Sequence, residues 1–249
     1  MAPTQTSSGA SIDPAEAAFF GKLADDWWNP TGSSAMLHRI NPVRLGFIRD
    51  AACRHFVRSV RDRTPLTGLA ALDIGCGAGL VAEPLARMGA VVTGIDAAPE
   101  NIAVARDHAA AMRLEIDYRA TSVEALAAGD ARFDLITCLE VIEHVDDRAA
   151  FFAAIAALLA PGGLVVFSTP NRTALSHATL IVGAERILRS IPRGAHDWDK
   201  FMTPDEVTDA LDDAGLAVGE IAGLGWRPSS GFALGQDTSI NYIGTACHG

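Results

Sequence analysis

Three glycines at alternate positions constrain this chain more than any other stretch of its sequence. Gly75, Gly77 and Gly79 follow an apolar run over residues 69–74, which predicts a buried strand, and precede residues 80–88, which predict a helix. Glycine is needed where the backbone takes positive φ or where a ligand must contact the main chain. The segment therefore predicts a loop that brings backbone N–H groups and a helix N-terminus to a bound small molecule.

An acidic residue stands at the distance from this loop that a nucleotide site requires. Residues 90–95 predict the next strand, and Asp96 follows it in a position to hold ribose hydroxyls. The dinucleotide pattern requires glycine at position 80, where the chain has Leu80, and this disfavours a nicotinamide dehydrogenase. Asp-x-Gly-x-Gly-x-Gly followed by Val-x-Gly-x-Asp resembles the S-adenosylmethionine (SAM) site of class I methyltransferases. We therefore expect the three glycines and Asp96 to contact SAM.

Predicted strands and helices alternate along the rest of the chain. Helices separate the further predicted strands, which cover residues 115–119, 133–138, 164–168, 216–221 and 239–247. This alternation is typical of the α/β class, and we expect a Rossmann-like class I methyltransferase fold with a mostly parallel, doubly wound sheet of seven strands. Ligands of such sheets bind at the carboxyl ends of the strands.

The chain divides into a tail and one domain. Residues 1–12 are predicted to be disordered, and residues 13–249 to form a methyltransferase domain. Within this domain, residues 13–65 precede the glycines and are predicted to form a helical cap, which begins with a helix over residues 14–28. Residues 171–200 are predicted to form a helical insertion before the last strands, because the segment is longer than an ordinary connection.

Charge, cysteine usage and hydropathy exclude several classes of protein. The formal net charge of −10 argues against nucleic-acid binding, which needs a basic surface. The four cysteines form no Cys-x-x-Cys pair, so neither a disulfide framework nor a zinc site is expected. Residues 1–13 lack a signal-peptide pattern, and the longest apolar run, residues 149–160, is too short to span a bilayer. We expect a cytoplasmic protein.

Glu140, Glu143 and His144 follow the predicted strand that ends at residue 138. Their i, i+3, i+4 spacing would place them on one face of a helical turn. Two carboxylates and an imidazole suit a divalent ion; the oxygen donors favour Mg²⁺ or Mn²⁺, and the imidazole would tolerate Zn²⁺. Such an ion would act as a Lewis acid and help a phenol to ionise. Alternatively a neutral histidine takes the phenolic proton as a general base, or the three residues only order the loop. The spacing leaves these three alternatives open.

Two arginines and a leucine are further candidates for contacts with the cofactor. Arg39 and Arg44 lie near the start of a helix predicted over residues 42–61, and a guanidinium can bind the carboxylate of SAM through two hydrogen bonds. Solvated surface arginines are the alternative. Leu139 ends a predicted strand, where it would flank the adenine or the methionine portion of SAM, or pack in the core.

The insertion over residues 171–200 combines an apolar face with Arg186, Arg189 and Arg193. This composition is typical of a helix in a membrane interface or of a lid over an apolar substrate. A helical hairpin packed on the domain's own core is the alternative. His196, near the end of the insertion, either binds substrate or caps a turn.

Several stretches together resemble the ubiquinone biosynthesis O-methyltransferase family. The resemblance extends from about residue 19 to residue 242, and two of its stretches, Leu-His-Arg-Ile-Asn-Pro and Val-Gly-Ala-Glu, are more specific than the glycine motif. The matching stretches are residues 27–30, 37–45, 73–77, 137–145, 168–172, 182–185, 187–189 and 241–242.

The resemblance implies an activity and a set of partners. It implies methyl transfer from SAM to a ring hydroxyl of two polyprenylated intermediates, 2-polyprenyl-6-hydroxyphenol and 3-demethylubiquinol. It also implies that residues 171–197 contact the membrane, so that the protein is peripherally associated with the inner membrane, and that other enzymes of ubiquinone biosynthesis are partners. The alternatives are a methyltransferase of another small phenol and a non-catalytic SAM-binding protein.

The resemblance also implies roles for individual residues, in two groups. One group is expected to contact SAM: Arg44, Gly75, Asp96 and Leu139. The other is expected to hold Mg²⁺ and to take part in catalysis: Glu140, Glu143 and His144.

Overall fold

The computed structural model describes residues 18, 21, 26–32, 34–180, 197–229 and 231–249. The strands in this part of the chain are β1 (Ala70–Ile74), β2 (Val91–Asp96), β3 (Ile116–Ala120), β4 (Phe133–Leu139), β5 (Leu159–Pro170), β6 (Leu216–Arg227), β7 (Gly231–Gly235) and β8 (Asn241–His248). The helices are α1 (Ala35–His55), α2 (Ala82–Arg87), α3 (Pro99–Ala111), α4 (Val123–Ala127), α5 (Arg148–Leu158), α6 (Ala174–Ser176) and α7 (Pro204–Asp213). Two 3₁₀ turns cover Ile142–His144 and Trp198–Lys200.

The described strands form one eight-stranded sheet in the order β3-β2-β1-β4-β5-β8-β6-β7. Strands β1 to β5 pair in parallel, whereas β8 runs antiparallel to both β5 and β6. This confirms the α/β class and the mostly parallel sheet. The carboxyl ends of β1, β2, β4 and β5 therefore meet at one edge of the sheet, where a ligand is expected to bind.

All seven predicted strands are present, and β7 is an eighth that the sequence analysis missed. It pairs with β6 as an antiparallel hairpin, with Arg227 opposite Gly231 and Gly223 opposite Gly235. The prediction ended the sixth strand at Ile221, because the glycines that follow have a low intrinsic preference for strands. Pairing in the sheet overrides that preference and extends β6 to Arg227.

Two hydrophobic clusters cover the two faces of the sheet. Neighbouring residues of β4 point to opposite faces, so Leu135 belongs to one cluster and Ile136 to the other. Helices α1, α2 and α3 cover the face of Leu135, and α4, α5 and α7 cover the face of Ile136. This is the doubly wound arrangement that the alternation of strands and helices predicted.

Helix α1 begins seven residues before the predicted start and ends six residues before the predicted end. Pro42 was expected to open the helix but lies inside it. Burial of one side of the helix, including Ile40, Asn41 and Arg44, outweighs the backbone hydrogen bond that the proline cannot donate. The helix predicted over residues 14–28 lies largely outside the described residues.

Side-chain oxygens cap several of the described helices. Ser122 and Thr203 accept hydrogen bonds from the first turns of α4 and α7. Asp147 caps α5 by accepting a hydrogen bond from the Ala150 N–H.

The two ends of the predicted insertion lie together, while residues 181–196, and with them His196 and the three arginines, lie outside the described residues. The indole Nε1 of Trp198 donates a hydrogen bond of 3.0 Å to the Thr173 carbonyl. The ring of His177 packs edge-to-face on Trp198, with centroids 5.8 Å apart. Within the described ranges, no helix has both the length and the apolar character needed to cross a bilayer.

Candidate active site

The glycine loop (residues 75–79) connects β1 to the start of α2. Gly75, Gly77 and Gly79 all adopt positive φ, at 66°, 52° and 92°. A Cβ atom on Gly75 would clash with the side chain of Val141, and one on Gly77 would lie 2.7 Å from the Trp27 ring. Glycine is therefore required by the backbone conformation and by the lack of space, as the sequence predicted.

Asp96 fastens the glycine loop to the end of β2. One carboxylate oxygen accepts a hydrogen bond of 2.9 Å from the Gly77 N–H. The other accepts from the Ala98 N–H at 2.8 Å and from the Asn101 side chain at 3.2 Å. Burial raises the pKa of Asp96, and these hydrogen bonds oppose the rise. Asp96 therefore shapes the loop, while its predicted contact with a ribose stays a prediction.

Trp27 and Trp28 lie against the glycine loop. This contact was not predicted, because the two residues were expected to lie inside a helix. The Trp27 indole donates a hydrogen bond of 3.1 Å to Asn101 Oδ1, and the Trp28 indole donates one of 3.0 Å to the Ala78 carbonyl. The Trp28 ring also stacks on His108, with centroids 3.5 Å apart. The two indoles thus bring the chain that precedes α1 to the candidate cofactor site.

Asp73, two residues before the glycine loop, is a buried carboxylate. Its Oδ1 accepts a hydrogen bond of 2.7 Å from the Thr137 hydroxyl, which joins β1 to β4. Burial raises the pKa of Asp73 to about 7, although the hydrogen bond from Thr137 favours the charged form. Ionisation of this group near neutral pH therefore opposes folding.

A second polar cluster lies at the adjacent strand end, centred on Glu140. The Glu140 carboxylate pairs with Arg44 of α1 at 2.7 Å. It also accepts a hydrogen bond of 2.7 Å from the Ser168 hydroxyl and bonds of 3.1 and 2.9 Å from the Asn241 amide. We call these four residues the Glu140 cluster. Its members come from α1, β5, β8 and the residue after β4, so the sheet topology brings them together.

Glu143 lies beside this cluster and is almost completely buried, with 2% of its surface exposed. Its Oε2 accepts a hydrogen bond of 2.9 Å from Thr169, and its Oε1 has no partner in the described part of the chain. Burial raises the pKa of Glu143 well above its usual value, and the charge of Glu140 raises it further. Burial and the neighbouring charge of Glu140 therefore both favour the neutral form of the Glu143 carboxyl group.

The prediction that Glu140, Glu143 and His144 share one helical face is wrong. Glu140 has a φ of 55°, in the left-handed region, and the 3₁₀ turn begins only at Ile142. Glu143 points into the protein, whereas His144 is partly exposed. The left-handed residue breaks the i, i+3, i+4 relation on which the prediction depended.

The described residues do not fit a metal ion as they stand. Among residues 26–32, 34–180, 197–229 and 231–249, no three His, Cys, Asp or Glu side chains are placed to hold one. A guanidinium, an amide and a hydroxyl already surround the Glu140 carboxylate, and this donor set stabilises the anion without a cation. The proposed magnesium role of the three residues stays a prediction, and no chemical step is derived from it.

The two candidate arginines differ in position. Arg44 is buried within the Glu140 cluster, whereas Arg39 lies at the surface. Leu139 is half-buried at the end of β4, next to Glu140. Of the two arginines, Arg44 lies next to the carboxyl end of β4, where it pairs with Glu140.

Ser168, Thr169 and Asn241 are site residues that the sequence did not predict. Each of the three donates a hydrogen bond to Glu140 or Glu143. The sequence did contain a feature that points to Ser168 and Thr169. These two hydroxyl residues follow the apolar run of β5, at the carboxyl end of a predicted parallel strand, where ligands bind. Asn241 carried no comparable signal, because its strand runs in the opposite direction.

Known proteins resemble the chain along most of its length. A family model described as a methyltransferase domain matches residues 47–221. The ubiquinone biosynthesis O-methyltransferase of Rhodopseudomonas palustris (strain BisB18) is 52% identical over 95% of this chain and 93% of its own length. The protein of the same name from Methylobacterium sp. (strain 4-46) is 48% identical over 96% of this chain and 96% of its own.

Solved structures of methyltransferases share the fold at low sequence identity. The magnesium protoporphyrin IX methyltransferase of Synechocystis PCC 6803, with bound S-adenosylhomocysteine (SAH), has a TM-score of 0.63 and 18% identity over 94% of this chain and 98% of that one. A SAM-dependent methyltransferase of Clostridium acetobutylicum ATCC 824 has a TM-score of 0.63 and 13% identity over 93% and 98%. These likenesses confirm the expected class I fold.

Replacing Gly75 with alanine should destabilise the protein more than the same change at Gly68. Both glycines have positive φ, but a Cβ atom on Gly68 would meet nothing within 4 Å, whereas one on Gly75 would meet Val141. Gly68→Ala should therefore cost about 1–2 kcal/mol, and Gly75→Ala about 1–3 kcal/mol more. Urea unfolding of the two variants measures the difference, and equal losses of stability would contradict the geometry of the loop.

Replacing Asp73 with asparagine should change how stability depends on pH. The folded-state pKa of Asp73 is about 7 and lies above its ordinary value of 3.8, so the folded wild type loses stability as the pH rises between these values. The variant stays neutral, and its stability relative to wild type should rise over this interval by at most about 4 kcal/mol. The free energy of unfolding, measured from pH 4 to 8 for wild type and Asp73→Asn, tests this, with the exposed Asp117→Asn change as control. Parallel stability–pH curves for wild type and Asp73→Asn would refute the prediction.

Proposed function

Because the chain belongs to the ubiquinone biosynthesis O-methyltransferase family, we propose that it methylates a ring hydroxyl of polyprenylated catechols held at a membrane surface. It is a SAM-dependent O-methyltransferase. One observation supports the site most directly: the glycine loop and the Glu140 cluster lie at neighbouring carboxyl ends of the same sheet. A methyl donor bound at the loop would then face an acceptor bound at the cluster.

We propose that SAM binds across the ends of β1, β2 and β4. The backbone of Gly75, Gly77 and Gly79 would contact the cofactor, because no Cβ atom separates it from the site. Asp96 would hold the ribose and Leu139 would flank the adenine or the methionine portion. Arg44 would bind the carboxylate, since its Nε–H is buried and has no partner in the described part of the chain.

For the acceptor, we propose that His144 takes the proton from the phenolic hydroxyl. A phenol has a pKa of about 10, so ionisation near pH 7 costs roughly 4 kcal/mol without a base. Glu143 is poorly placed to take this proton, because it is almost completely buried and already accepts a hydrogen bond from Thr169. His144 is partly exposed and ends the 3₁₀ turn that follows Glu140. A neutral imidazole there suits general-base catalysis.

We propose that the insertion over residues 171–200 brings the enzyme to the lipid tail of its substrate on the cytoplasmic face of the inner membrane. Leu175 is a large apolar residue with 48% of its surface exposed, at the point where the insertion leaves the sheet. Arg186, Arg189 and Arg193 would add attraction to anionic lipid. The domain limits 13–249, with a cap over residues 13–65, are part of the same proposal.

Turnover of a short-chain demethylubiquinol with SAM, under reducing conditions, tests the proposed reaction. The wild type should release SAH and the methoxy product, and EDTA should leave the rate unchanged, because Glu140 already has three donors. His144→Gln should lower kcat by about 100-fold or more and leave the KM for SAM unchanged. His55→Gln, an exposed histidine bonded to the Gly162 carbonyl, is the matched control. An unchanged kcat in His144→Gln would exclude the proposed base.

Reversing the charge of Arg186, Arg189 and Arg193 to glutamate should weaken binding to anionic vesicles. Each basic residue near such a surface contributes about 1 kcal/mol, so the triple variant should bind about 100-fold more weakly or worse. Its turnover of a water-soluble catechol should stay unchanged. Vesicle sedimentation measures the binding, and a control variant reverses three exposed arginines elsewhere: Arg61, Arg63 and Arg132. Equal losses of binding in both variants would contradict a specific role for the insertion.

A further inference from the structure

Arg44 and Glu140 form a buried ion pair at the place where the carboxylate of SAM is proposed to bind. We propose that Glu140 competes with the carboxylate of the cofactor for Arg44, so that binding of SAM releases Glu140 and departure of SAH restores the pair. Glu140 would then be a positioning residue that sets cofactor affinity. This inference rests on the proposed role of Arg44 in cofactor binding.

Arg44 has more donors than partners. Its side chain is 3% exposed, and its Nη2 lies 2.7 Å from Glu140 Oε1. Its Nε is also buried and has no partner in the described part of the chain. Because a guanidinium carries five N–H groups, such a residue is prepared for a second, or a replacement, anionic partner. A ligand carboxylate that accepts hydrogen bonds from two N–H groups on one edge of the Arg44 guanidinium would be that partner.

Glu140 does not depend on Arg44 to satisfy its carboxylate. Ser168 and Asn241 supply three further hydrogen bonds of 2.7 to 3.1 Å, and 19% of the Glu140 side chain is exposed to water. Its own N–H donates to the Ser168 carbonyl at 2.9 Å, which fixes the backbone. Glu140 can therefore keep its position as an anion when Arg44 turns to another carboxylate.

The charges make the two partners of Arg44 competitors. One guanidinium neutralises one carboxylate, so Arg44 cannot neutralise both Glu140 and a ligand carboxylate. The balance between the two partners therefore depends on the contacts that Arg44 makes with Glu140 and with the ligand. SAM and SAH carry the same carboxylate, so Glu140 would weaken the binding of both and favour release of the product. The released Glu140 carboxylate would then accept a hydrogen bond from the catechol.

Calorimetric titration with SAH, and with an analogue in which hydrogen replaces its carboxylate, tests the competition. Glu140→Gln removes the charge but keeps the size of the side chain. Asn241 Oδ1 has no partner in the described part of the chain, so this amide can rotate to accept from the new Gln N–H groups. We expect Glu140→Gln to bind SAH at least about fivefold more tightly than wild type, with unchanged affinity for the analogue.

Two further variants separate the competition from other effects of charge. Glu220→Gln is the matched control, because Glu220 pairs at the surface with Arg54, which lies on α1 like Arg44. It should leave both affinities unchanged. In an Arg44→Met background, the effect of Glu140→Gln on SAH should largely disappear, since the coupling acts through Arg44.

Three results would overturn the proposal. The first is weaker or unchanged binding of SAH to Glu140→Gln, which would make Glu140 a support for Arg44. The second is an equal effect of Glu140→Gln with and without Arg44, which would indicate direct repulsion of the ligand. The third is an unchanged preference for SAH over the analogue in Arg44→Met. Because these titrations involve no turnover, failure of catechol methylation alone would contradict only the proposed reaction.

Discussion

The hydrogen bond from the Gly77 N–H to the Asp96 carboxylate joins the two motifs on which the rest of the structure depends. It holds the left-handed turn after β1 against the end of β2, and a second bond, from the Cys76 N–H to the Ile95 carbonyl, supports the same contact. The Trp27 ring lies close to Gly77, and the Val141 side chain packs against Gly75.

Sequence alone predicted the parts of the molecule that local rules decide. An apolar run that ends in alternating glycines specifies a strand, a tight turn and a helix within about fifteen residues, so neither the turn nor Asp96 needed knowledge of the fold. The strands other than β7 followed from apolar periodicity, because a doubly wound sheet buries both faces of its central strands.

The parts that sequence did not predict depend on contacts between distant residues. Arg44 meets Glu140 across 96 positions, and Asn241 meets it across 101, so no spacing rule links them. The helical spacing assigned to Glu140, Glu143 and His144 failed because Glu140 adopts positive φ, which a non-glycine residue rarely does. Strained backbone of this kind persists where surrounding contacts hold it, here the bonds from Ser168 and Asn241 to the carboxylate.

The Glu140 cluster also differs from what stability alone would favour. Burying a guanidinium and a carboxylate costs desolvation energy that their attraction repays only when most of their polar atoms find partners. Glu140 meets that condition, but Arg44 leaves its buried Nε–H without a partner in the described part of the chain, and the neighbouring Glu143 leaves one buried oxygen. In a pair with a purely structural role, we would expect the buried polar atoms of both residues to have hydrogen-bond partners. Arg44 does not meet this expectation, and a ligand carboxylate next to its Nε–H would complete its hydrogen bonds.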